Sequence, residues 1–457
     1  MKTLLKNGTV VSGDMSVRED VLIDGEKIVK VGRNLEAEDA QVVDVNGKLL
    51  FPGFIDGHTH FDLEVAGTVT ADDFETGTRA AIAGGTTLVI DYASQDKGGH
   101  TLKEGLEKWH KKADGKCSCD YSFHMSVVEW NEETEREIQD MINEGITSFK
   151  LYMTYPAMIV DDGDLYKIIK KLNEYGCFAG VHCENAGAID ALIAEAKKEG
   201  RLGPENHPLV RPDIMEAEAV HRLLVIADAA NAPVMVVHLT NRKAFEEVMR
   251  ARMNGQKVYA ETCPQYLLMD DSLYELPGFE SAKYVCAPPL RKKEDQDCLW
   301  KGLADGTIQT VSTDHCSFTT TQKKLGEGDF TKIPGGMPGA ETRGTLVYTY
   351  GVDKGRITKE DMCRVLSENP AKLYGLYPRK GVIAPGSDAD LVIMRTGVED
   401  VITAKDQFQN VDYAPFEGTK VTGRVESVFL RGLQAVKDGK VVEEKKGEFL
   451  KRGKYAL

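Results

Sequence analysis

Several features that mark other classes of protein are missing from this 457-residue sequence. It has no run of roughly 18 apolar residues, the length a membrane-spanning helix needs, so no membrane partner is expected. Its start, Met1–Gly8, has no continuous apolar segment of the kind found in signal peptides. The nine cysteines form no Cys-x-x-Cys pair, and scattered thiols in odd number favour a reducing compartment over a disulfide framework. These absences predict a cytoplasmic protein.

Positive charge is also scarce. The chain has 57 Lys and Arg residues against 72 Asp and Glu residues, which gives a net charge of -15 at pH 7. No basic run compensates for this balance, and nonspecific binding to nucleic acid needs basic patches, so a nucleic-acid partner is not expected. The apolar share of 42% and the charged share of 28% are typical of a folded globular protein.

Short alternating segments occur at both ends of the chain. Examples are Val21–Ile23 and Gln41–Val45 near the start and Ala389–Met394 near the end. Alternation with a period of two residues, interrupted by Gly-containing turns, is typical of β-strands and hairpins. We therefore predict a small β-sandwich domain that residues 1–52 and 375–457 form together.

Residues 53–374 have a different pattern, in which short apolar runs alternate with helical stretches. The eight apolar runs are Phe54–Asp56, Thr86–Asp91, Tyr121–Val128, Thr147–Met153, Phe178–His182, Pro233–His238, Lys257–Glu261 and Ile308–Thr313. Eight strand–helix units over about 320 residues predict an α/β fold, the (β/α)8 barrel of the TIM type. The alternative is a doubly wound open sheet, but no Gly-x-Gly-x-x-Gly follows the first run to support it.

Side chains with metal-binding chemistry recur where these predicted strands end, which is the active-site face of such barrels. They are His58, His60, Lys150, His182, His238 and Asp314. His58 and His60 are spaced i, i+2, so their side chains leave the same face of one strand. Imidazole is the commonest metal-ligating side chain, and four of the ten histidines fall at these ends, which favours a metal site over structural histidines.

Two members of this set have an alternative interpretation. Asp314 follows Ser312-Thr313 and has the chemistry of a helix N-cap, although a carboxylate beside a metal can bind the ion or accept a proton. Most lysines in the position of Lys150 extend the ammonium toward solvent. Lys150, however, lies in the apolar stretch Ser148–Met153, where a buried charged ammonium is unfavourable.

Seven motifs in one order give the chain a more specific resemblance. They are Gly53-Phe54-Ile55-Asp56-Gly57-His58-Thr59-His60, Gly84-Gly85-Thr86-Thr87, Thr147-Ser148-Phe149-Lys150, Val181-His182-Cys183-Glu184-Asn185, Glu261-Thr262-Cys263-Pro264-Gln265-Tyr266-Leu267, Thr313-Asp314-His315-Cys316 and Ala384-Pro385-Gly386-Ser387-Asp388-Ala389-Asp390-Leu391. Together they resemble the cyclic amidohydrolases of the hydantoinase/dihydropyrimidinase family, and the D-hydantoinases most of all. The resemblance implies a homotetramer that hydrolyses small cyclic amides: 5-substituted hydantoins to N-carbamoyl amino acids, or dihydropyrimidines.

The resemblance also implies two Zn²⁺ ions per subunit, bridged by Lys150 carboxylated on its amine. By matching position, the ligands are His58, His60, Lys150 and Asp314 for one ion and Lys150, His182 and His238 for the other. Zinc lowers the pKa of bound water from ~15.7 toward ~7, so a hydroxide bridging the ions is the expected nucleophile. Asp314 is expected to carry its proton to the leaving ring nitrogen, and Tyr155 to hydrogen-bond the developing oxyanion.

Departures from the family pattern concern the substrate. Ala287 stands where the family usually has a serine, and Gly335 stands where an asparagine is common. In the family both contacts come from the backbone, so the resemblance still implies that these two residues bind the ring. An apolar wall for a hydrophobic ring substituent is expected from the segments after His60 and Lys150. Its residues are Leu63, Glu64, Val65, Tyr152, Met158 and Ile159.

Three related functions are alternatives to this interpretation. A dihydroorotase should have an arginine just after the His-x-His pair, whereas Phe61-Asp62 follows His60 here. An allantoinase-type hydrolase of a cyclic ureide remains open from the metal ligands alone. Non-catalytic scaffold proteins of the same fold have lost metal ligands, whereas this chain keeps all six.

The Gly-rich stretch Ser317–Pro338 predicts a long functional loop.

Overall fold

The computed structural model describes residues 2–457. Its strands are, in chain order, β1 (Lys2–Val11), β2 (Ser16–Asp24), β3 (Lys27–Gly32), β4 (Ala40–Asp44), β5 (Leu49–Pro52), β6 (Phe54–Thr59), β7 (Glu64–Val65), β8 (Thr68–Val69), β9 (Thr86–Ser94), β10 (Asp120–Ser126), β11 (Ser148–Tyr152), β12 (Phe178–His182), β13 (Val234–Val236), β14 (Val258–Thr262), β15 (Thr310–Val311), β16 (Leu391–Val401), β17 (Lys420–Leu430), β18 (Leu433–Lys437) and β19 (Lys440–Val441). Its α-helices are α1 (Phe74–Ala83), α2 (Leu102–Ala113), α3 (Glu132–Asn143), α4 (Asp162–Glu174), α5 (Ala186–Lys198), α6 (Asp213–Ala229), α7 (Arg242–Met253), α8 (Pro264–Leu268), α9 (Lys293–Ala304), α10 (Thr320–Lys323), α11 (Arg343–Val347), α12 (Lys359–Cys363) and α13 (Asn369–Leu373).

Eight parallel strands form the barrel, in the order β15-β14-β13-β12-β11-β10-β9-β6. The edge strands β6 and β15 come together where Thr59 forms a parallel bridge with His315. The backbone N–H of His60 also donates to the carbonyl of His315 at 2.8 Å. Because helices cover such a barrel from outside, its strands are buried on both faces, and every residue of β6, β11 and β12 is buried. The predicted (β/α)8 barrel is confirmed.

The helices around the barrel begin and pack as their sequences predict. α4 starts after Asp161, whose carboxylate accepts a hydrogen bond from the backbone N–H of Asp164 and so caps the first turn. Its buried residues follow the helical period and form one apolar stripe: Leu165, Ile168, Ile169 and Leu172. Among residues 2–457, no helix is both long enough and apolar enough to span a membrane.

The two ends of the chain build one mixed sheet of nine strands. Its order is β19-β18-β17-β16-β5-β1-β2-β3, and β4 pairs with β1. β5 is the link between the two ends, since it pairs in parallel with β1 and antiparallel with β16. Apolar residues from both ends share a small core beneath this sheet, among them Val21, Leu50, Leu391 and Phe429. The terminal β-domain boundaries at residues 52/53 and 374/375 stay a prediction.

A buried cluster of charges joins the terminal sheet to the barrel. The Lys380 ammonium is 2.7 Å from Asp120 at the start of β10 and 3.2 Å from Asp388, and it also contacts Asp390 just before β16. Arg431, which follows β17, pairs with Asp120 as well. We refer to Lys380, Asp120, Asp388, Asp390 and Arg431 as the joint cluster.

The segment Ser317–Pro338 is more ordered than the predicted loop. It contains α10 and two 3-10 turns, Lys324–Gly326 and Phe330–Lys332. These short helical turns could not be predicted from the sequence, because glycines and prolines interrupt any helical period within a few residues. The segment lies at the face of the barrel where the predicted metal ligands converge, since Phe330, Thr331 and Ile333 line the same cavity as those ligands.

Candidate metal centre

The two histidines of the first barrel strand point at one carboxylate. The rings of His58 and His60 lie 5.2 Å apart between centroids, as expected for side chains on one face of a strand. Nε2 of His58 is 3.2 Å from Oδ1 of Asp314, and Nε2 of His60 is 3.1 Å from the same oxygen. Asp314 follows β15, so the first and last strands of the barrel meet at this point.

Two further histidines reach the same space from the middle of the barrel. His182 is the last residue of β12 and His238 lies two residues beyond β13. Their ring centroids are 4.5 Å apart, and His238 is 5.4 Å from His58. The structure thus brings together the four histidines and the aspartate that the sequence placed at strand ends.

The donor atoms of this group are spaced to share an ion. One ligand atom each from His58, His238 and Asp314 lie within 4.8 Å of one another. Nε2 of His58 is buried and makes no hydrogen bond among the described residues, despite its closeness to Asp314. A buried polar atom without a partner is unfavourable unless a ligand completes it. The residues present therefore fit a metal ion.

Buried glutamates orient two of the histidines. Oε1 of Glu261 is 2.7 Å from Nδ1 of His58, and Oε2 of Glu184 is 2.7 Å from Nε2 of His182. Arg211 donates to the same oxygen of Glu184 at 2.6 Å. A carboxylate on one ring nitrogen fixes the tautomer and leaves the other nitrogen free for a metal.

These supports were missed in the sequence. Glu261 ends a predicted strand and Glu184 stands two residues after His182, so both lie at the predicted strand ends. A carboxylate at a strand end, two residues from a candidate ligand or on the neighbouring strand, was the available signal.

A buried network holds the loop that carries Asp314. Asp56, on β6, accepts hydrogen bonds from the backbone N–H of Thr313 at 3.1 Å and from its hydroxyl at 2.7 Å. The guanidinium of Arg343 is 4.0 Å from Asp56 and donates to the carbonyls of Ile55 and Val311. The cap role considered for Asp314 is not seen, because no helix begins at that residue.

Lys150 lies in the middle of β11 and is 1% exposed. Its Nζ is 4.9 Å from the ring centroid of Tyr92 and 5.1 Å from that of Tyr152, and it faces the same cavity as the histidines. Burial lowers the pKa of the ammonium to about 8. The side chain therefore does not extend to solvent.

Tyr155 lies next to His182 in the lining of the same cavity. Its ring centroid is 5.1 Å from that of His182, and the guanidinium carbon of Arg211 is 5.8 Å from the tyrosine ring. Burial raises the pKa of the phenol, while the charge of Arg211 opposes that shift. The hydroxyl therefore stays protonated near neutral pH and is available as a hydrogen-bond donor.

A cavity of about 410 Å³ opens directly onto these side chains. Of the residues expected from the sequence to contact substrate, those that line it are Leu63, Val65, Tyr152, Tyr155, Met158, Ala287 and Gly335. The predicted apolar wall and the two backbone positions thus line the same cavity as the predicted metal ligands.

Ile159 and Glu64 do not line this cavity. The backbone N–H groups of Met158 and Ile159 both donate to the carbonyl of Tyr155 at 2.8 Å, which places the two residues in one tight turn. Met158 takes the cavity position, whereas the carbonyl of Ile159 accepts from Lys97 at 3.1 Å. Glu64 is 60% exposed and pairs with Lys108 at 3.3 Å. Proximity in the sequence could not tell these neighbours apart.

Comparison with known sequences identifies a family pattern and close relatives. The pattern described as "Amidohydrolase family" matches residues 49–442. A D-hydantoinase of Geobacillus stearothermophilus is 46% identical, over 100% of this chain and 97% of that protein. A D-hydantoinase of Streptomyces coelicolor is 44% identical, over 95% of this chain and 94% of that protein.

Solved structures give the same picture. A dihydropyrimidinase from Brevibacillus agri superposes with a TM-score of 0.99 at 44% identity and covers 100% of both chains. An L-hydantoinase from Arthrobacter aurescens superposes with a TM-score of 0.89 at 30% identity, over 98% of this chain and 99% of that chain. The resemblance found in the sequence motifs is confirmed at the level of the whole chain.

Proposed function

The chain belongs to the amidohydrolase family, and on that basis we propose that it hydrolyses the cyclic amide bond of 5-substituted hydantoins to N-carbamoyl amino acids. The observation that carries the proposal is the convergence of four histidines and Asp314 in the lining of an apolar cavity. Dihydropyrimidines are the second candidate substrate, because a close structural relative is described as a dihydropyrimidinase.

Two zinc ions are the proposed cofactor. His58, His60 and Asp314 would hold one ion, His182 and His238 the other, and Lys150 would bridge them after its amine combines with carbon dioxide. Carboxylation turns a buried cation, which repels metal ions, into an anion with two oxygen donors. Zinc bound there would act as a Lewis acid and lower the pKa of bound water from ~15.7 toward ~7.

Asp314 is the proposed proton carrier of the reaction. When water adds to the ring carbonyl, a proton leaves the water and the ring nitrogen must gain one before the C–N bond breaks. The Asp314 carboxylate faces the cavity beside His58 and His60, so it can accept the first proton and deliver it to the nitrogen.

Tyr155 is the proposed donor to the carbonyl oxygen. The oxygen gains negative charge as water adds, and a donor aimed at that charge stabilises the transition state by about 3 kcal/mol. A phenol whose pKa is raised keeps its proton for this hydrogen bond. The backbone at Ala287 and Gly335 would hold the ring, and Leu63, Val65 and Tyr152 would contact its substituent.

The assembly and compartment are also proposals. All nine cysteines are free thiols in the structure, which supports a reducing, cytoplasmic location. A homotetramer follows from the family resemblance, and sedimentation of the purified protein tests it.

A comparison of ring substrates tests the function. Zinc-loaded protein is assayed in the steady state with D- and L-5-phenylhydantoin, 5-methylhydantoin, unsubstituted hydantoin and dihydrouracil. Because the cavity wall is apolar, the highest kcat/KM is expected for the phenyl compound. If the protein hydrolyses none of these rings, the proposed function is wrong. If it hydrolyses only the unsubstituted rings, the proposed role of the apolar wall is wrong.

Substitution of Lys150 tests the bridging role. Lys150→Ala should abolish turnover and lower bound zinc from about two ions per chain, since a bridging ligand serves both ions. Zinc is measured by elemental analysis after gel filtration. The matched control is Lys103→Ala at an exposed position of α2, which should keep both metal and rate. Full metal content and rate in Lys150→Ala would contradict the carbamate.

A further inference from the structure

A lysine is buried beside the cavity without any role in the proposed chemistry. Lys323, the last residue of α10, is 1% exposed and ranks among the largest fully buried side chains of the protein. Lysine is almost never fully buried unless its charge is paired. The surroundings of Lys323 therefore need an explanation.

The acceptors of its ammonium are backbone carbonyls. Nζ donates to the carbonyls of Val285 at 2.9 Å, Pro334 at 2.8 Å and Gly336 at 2.8 Å. A lysine ammonium has three N–H donors, so this arrangement uses all of them. Burial lowers the pKa of Lys323 to about 7, with the thiols of Cys286 and Cys316 as neighbouring titratable groups. The three carbonyls oppose that shift, because a neutral amine has only two N–H groups to offer.

The three carbonyls belong to two segments that are far apart in the sequence and adjacent at the cavity. Val285 directly precedes Cys286-Ala287, and Pro334 and Gly336 flank Gly335. Val285, Ala287, Gly335 and Gly336 all line the cavity. The direct backbone link between the segments is the N–H of Gly336, which donates to the carbonyl of Val285 at 2.9 Å. The ammonium of Lys323 thus links the backbone just before Ala287 to the backbone on either side of Gly335.

We propose that Lys323 is a positioning residue for the ring substrate, because it sets the separation between the backbone at residues 285–287 and 334–336. The inference rests on the proposed function, in which these backbone groups hold the ring. Only a side chain with three donors on one atom satisfies three carbonyls that converge on one point. Without it, all three carbonyls lose their shared donor, and the bond from the N–H of Gly336 to the carbonyl of Val285 is left to hold the two segments at their separation.

Steady-state kinetics of the zinc-loaded full chain tests this role, with 5-phenylhydantoin as the substrate. Lys323→Met keeps the length of the side chain and removes all three donors, so we expect KM to rise about tenfold, the scale of one lost interaction. kcat is expected to change less than threefold, and bound zinc to stay equal to that of the parent. A role in overall folding alone would instead lower the active fraction, and with it kcat, at an unchanged KM.

Two further variants complete the design. Lys324→Met, at the exposed neighbouring position, is the matched control and should behave as the parent. Lys323→Gln retains two donors and should have a KM between those of the parent and Lys323→Met. If Lys323→Met does not fold, Lys323→Gln tests the role in its place. An unchanged KM in a folded Lys323 variant from an active parent overturns this inference alone. A parent without turnover overturns the proposed function, and this inference with it.

Discussion

At the scale of single residues, the site is held in conformations that the backbone disfavours. Tyr155, His238 and Asp314 have φ values of 67°, 39° and 52°, in the left-handed region where side chains other than glycine are uncommon. Each such residue costs on the order of 1–3 kcal/mol and persists only where its surroundings determine it. For Asp314 the determining contacts are those of Asp56 with Thr313. Local strain of this kind aims all three side chains at the cavity.

The glutamate behind His58 should control metal affinity. Glu261→Gln replaces a buried carboxylate by a neutral amide at Nδ1 of His58, 2.7 Å away, and so weakens the orientation and basicity of the ring. We expect zinc affinity to fall about 10- to 100-fold, as for other partners of metal-bound histidines. Competition with a chromophoric chelator measures the affinity.

A surface pair provides the control for this experiment. Glu247 contacts Nδ1 of His221 at 2.9 Å, and the side chain of His221 is 55% exposed, whereas that of His58 is 1% exposed. Glu247→Gln should leave zinc affinity unchanged. Equal affinities in Glu261→Gln and the parent would contradict the supporting role of Glu261.

The sequence was most informative about residues whose chemistry is rare in their setting. Histidines at strand ends and a lysine within an apolar stretch of sequence are unusual. The sequence therefore predicted the positions of the side chains that meet at the cavity. Glu184, Glu261 and Arg211 were not, because charged residues at strand ends and in loops are common and usually solvated. Their contacts join residues from different strands, and no local pattern encodes such a pairing.

At the scale of elements, strand positions were predictable and strand lengths were not. All eight predicted barrel runs contain a strand, but β13 and β15 have only three and two residues. The length of a strand depends on which residues of the neighbouring strands form backbone hydrogen bonds with it, and an apolar run in the sequence does not show this. The hairpin of β7 and β8 went unpredicted because two-residue strands are too short to show a period.

The contact between Glu341, two residues before α11, and Phe408 should make the stability of the protein depend on pH. Glu341 accepts a hydrogen bond from the backbone N–H of Phe408 at 2.7 Å, and burial raises its pKa to about 8, with Arg424 opposing and Asp72 adding to the shift. Between pH 4.5 and 8 the folded state holds this proton while the unfolded chain releases it. Stability from this group therefore falls as pH rises through that window.

Glu341→Gln removes the titration and keeps an oxygen acceptor for Phe408. The variant should be more stable than the parent by on the order of 2 kcal/mol at pH 8, and by less at pH 5. Melting temperatures across this range measure the difference. Glu327→Gln, at an exposed position, is the control and should follow the parent at every pH. A pH-independent difference would contradict the assignment.

At the scale of the whole molecule, the joint cluster connects the barrel to the terminal sheet. Lys380 is 1% exposed in its side chain and faces three carboxylates that are 0–3% exposed. Removal of one partner from a buried charge group leaves the others uncompensated, which is more damaging than the loss of a surface pair. The stability of the molecule as a unit should therefore depend on this one ammonium.

Lys380→Met tests that dependence. We expect a loss of about 3–5 kcal/mol in the free energy of unfolding, measured from urea denaturation. Lys27 is a matched control, because it also pairs with Asp388, at 2.6 Å, but is 48% exposed. Lys27→Met should change stability by about 1 kcal/mol or less. Equal effects of the two substitutions would rule out a special role for the joint cluster.

The position of β5 between β1 and β16 has a consequence for synthesis on the ribosome. Pro52 pairs with Leu391, so about 340 residues must be added after β5 before its second neighbour exists. At roughly 5–20 residues per second, the growing chain carries an open strand edge for roughly 20–70 seconds. Such edges recruit strands from other chains. Production of active enzyme therefore requires that the open edge of β5 be kept from pairing with other chains while the barrel is translated.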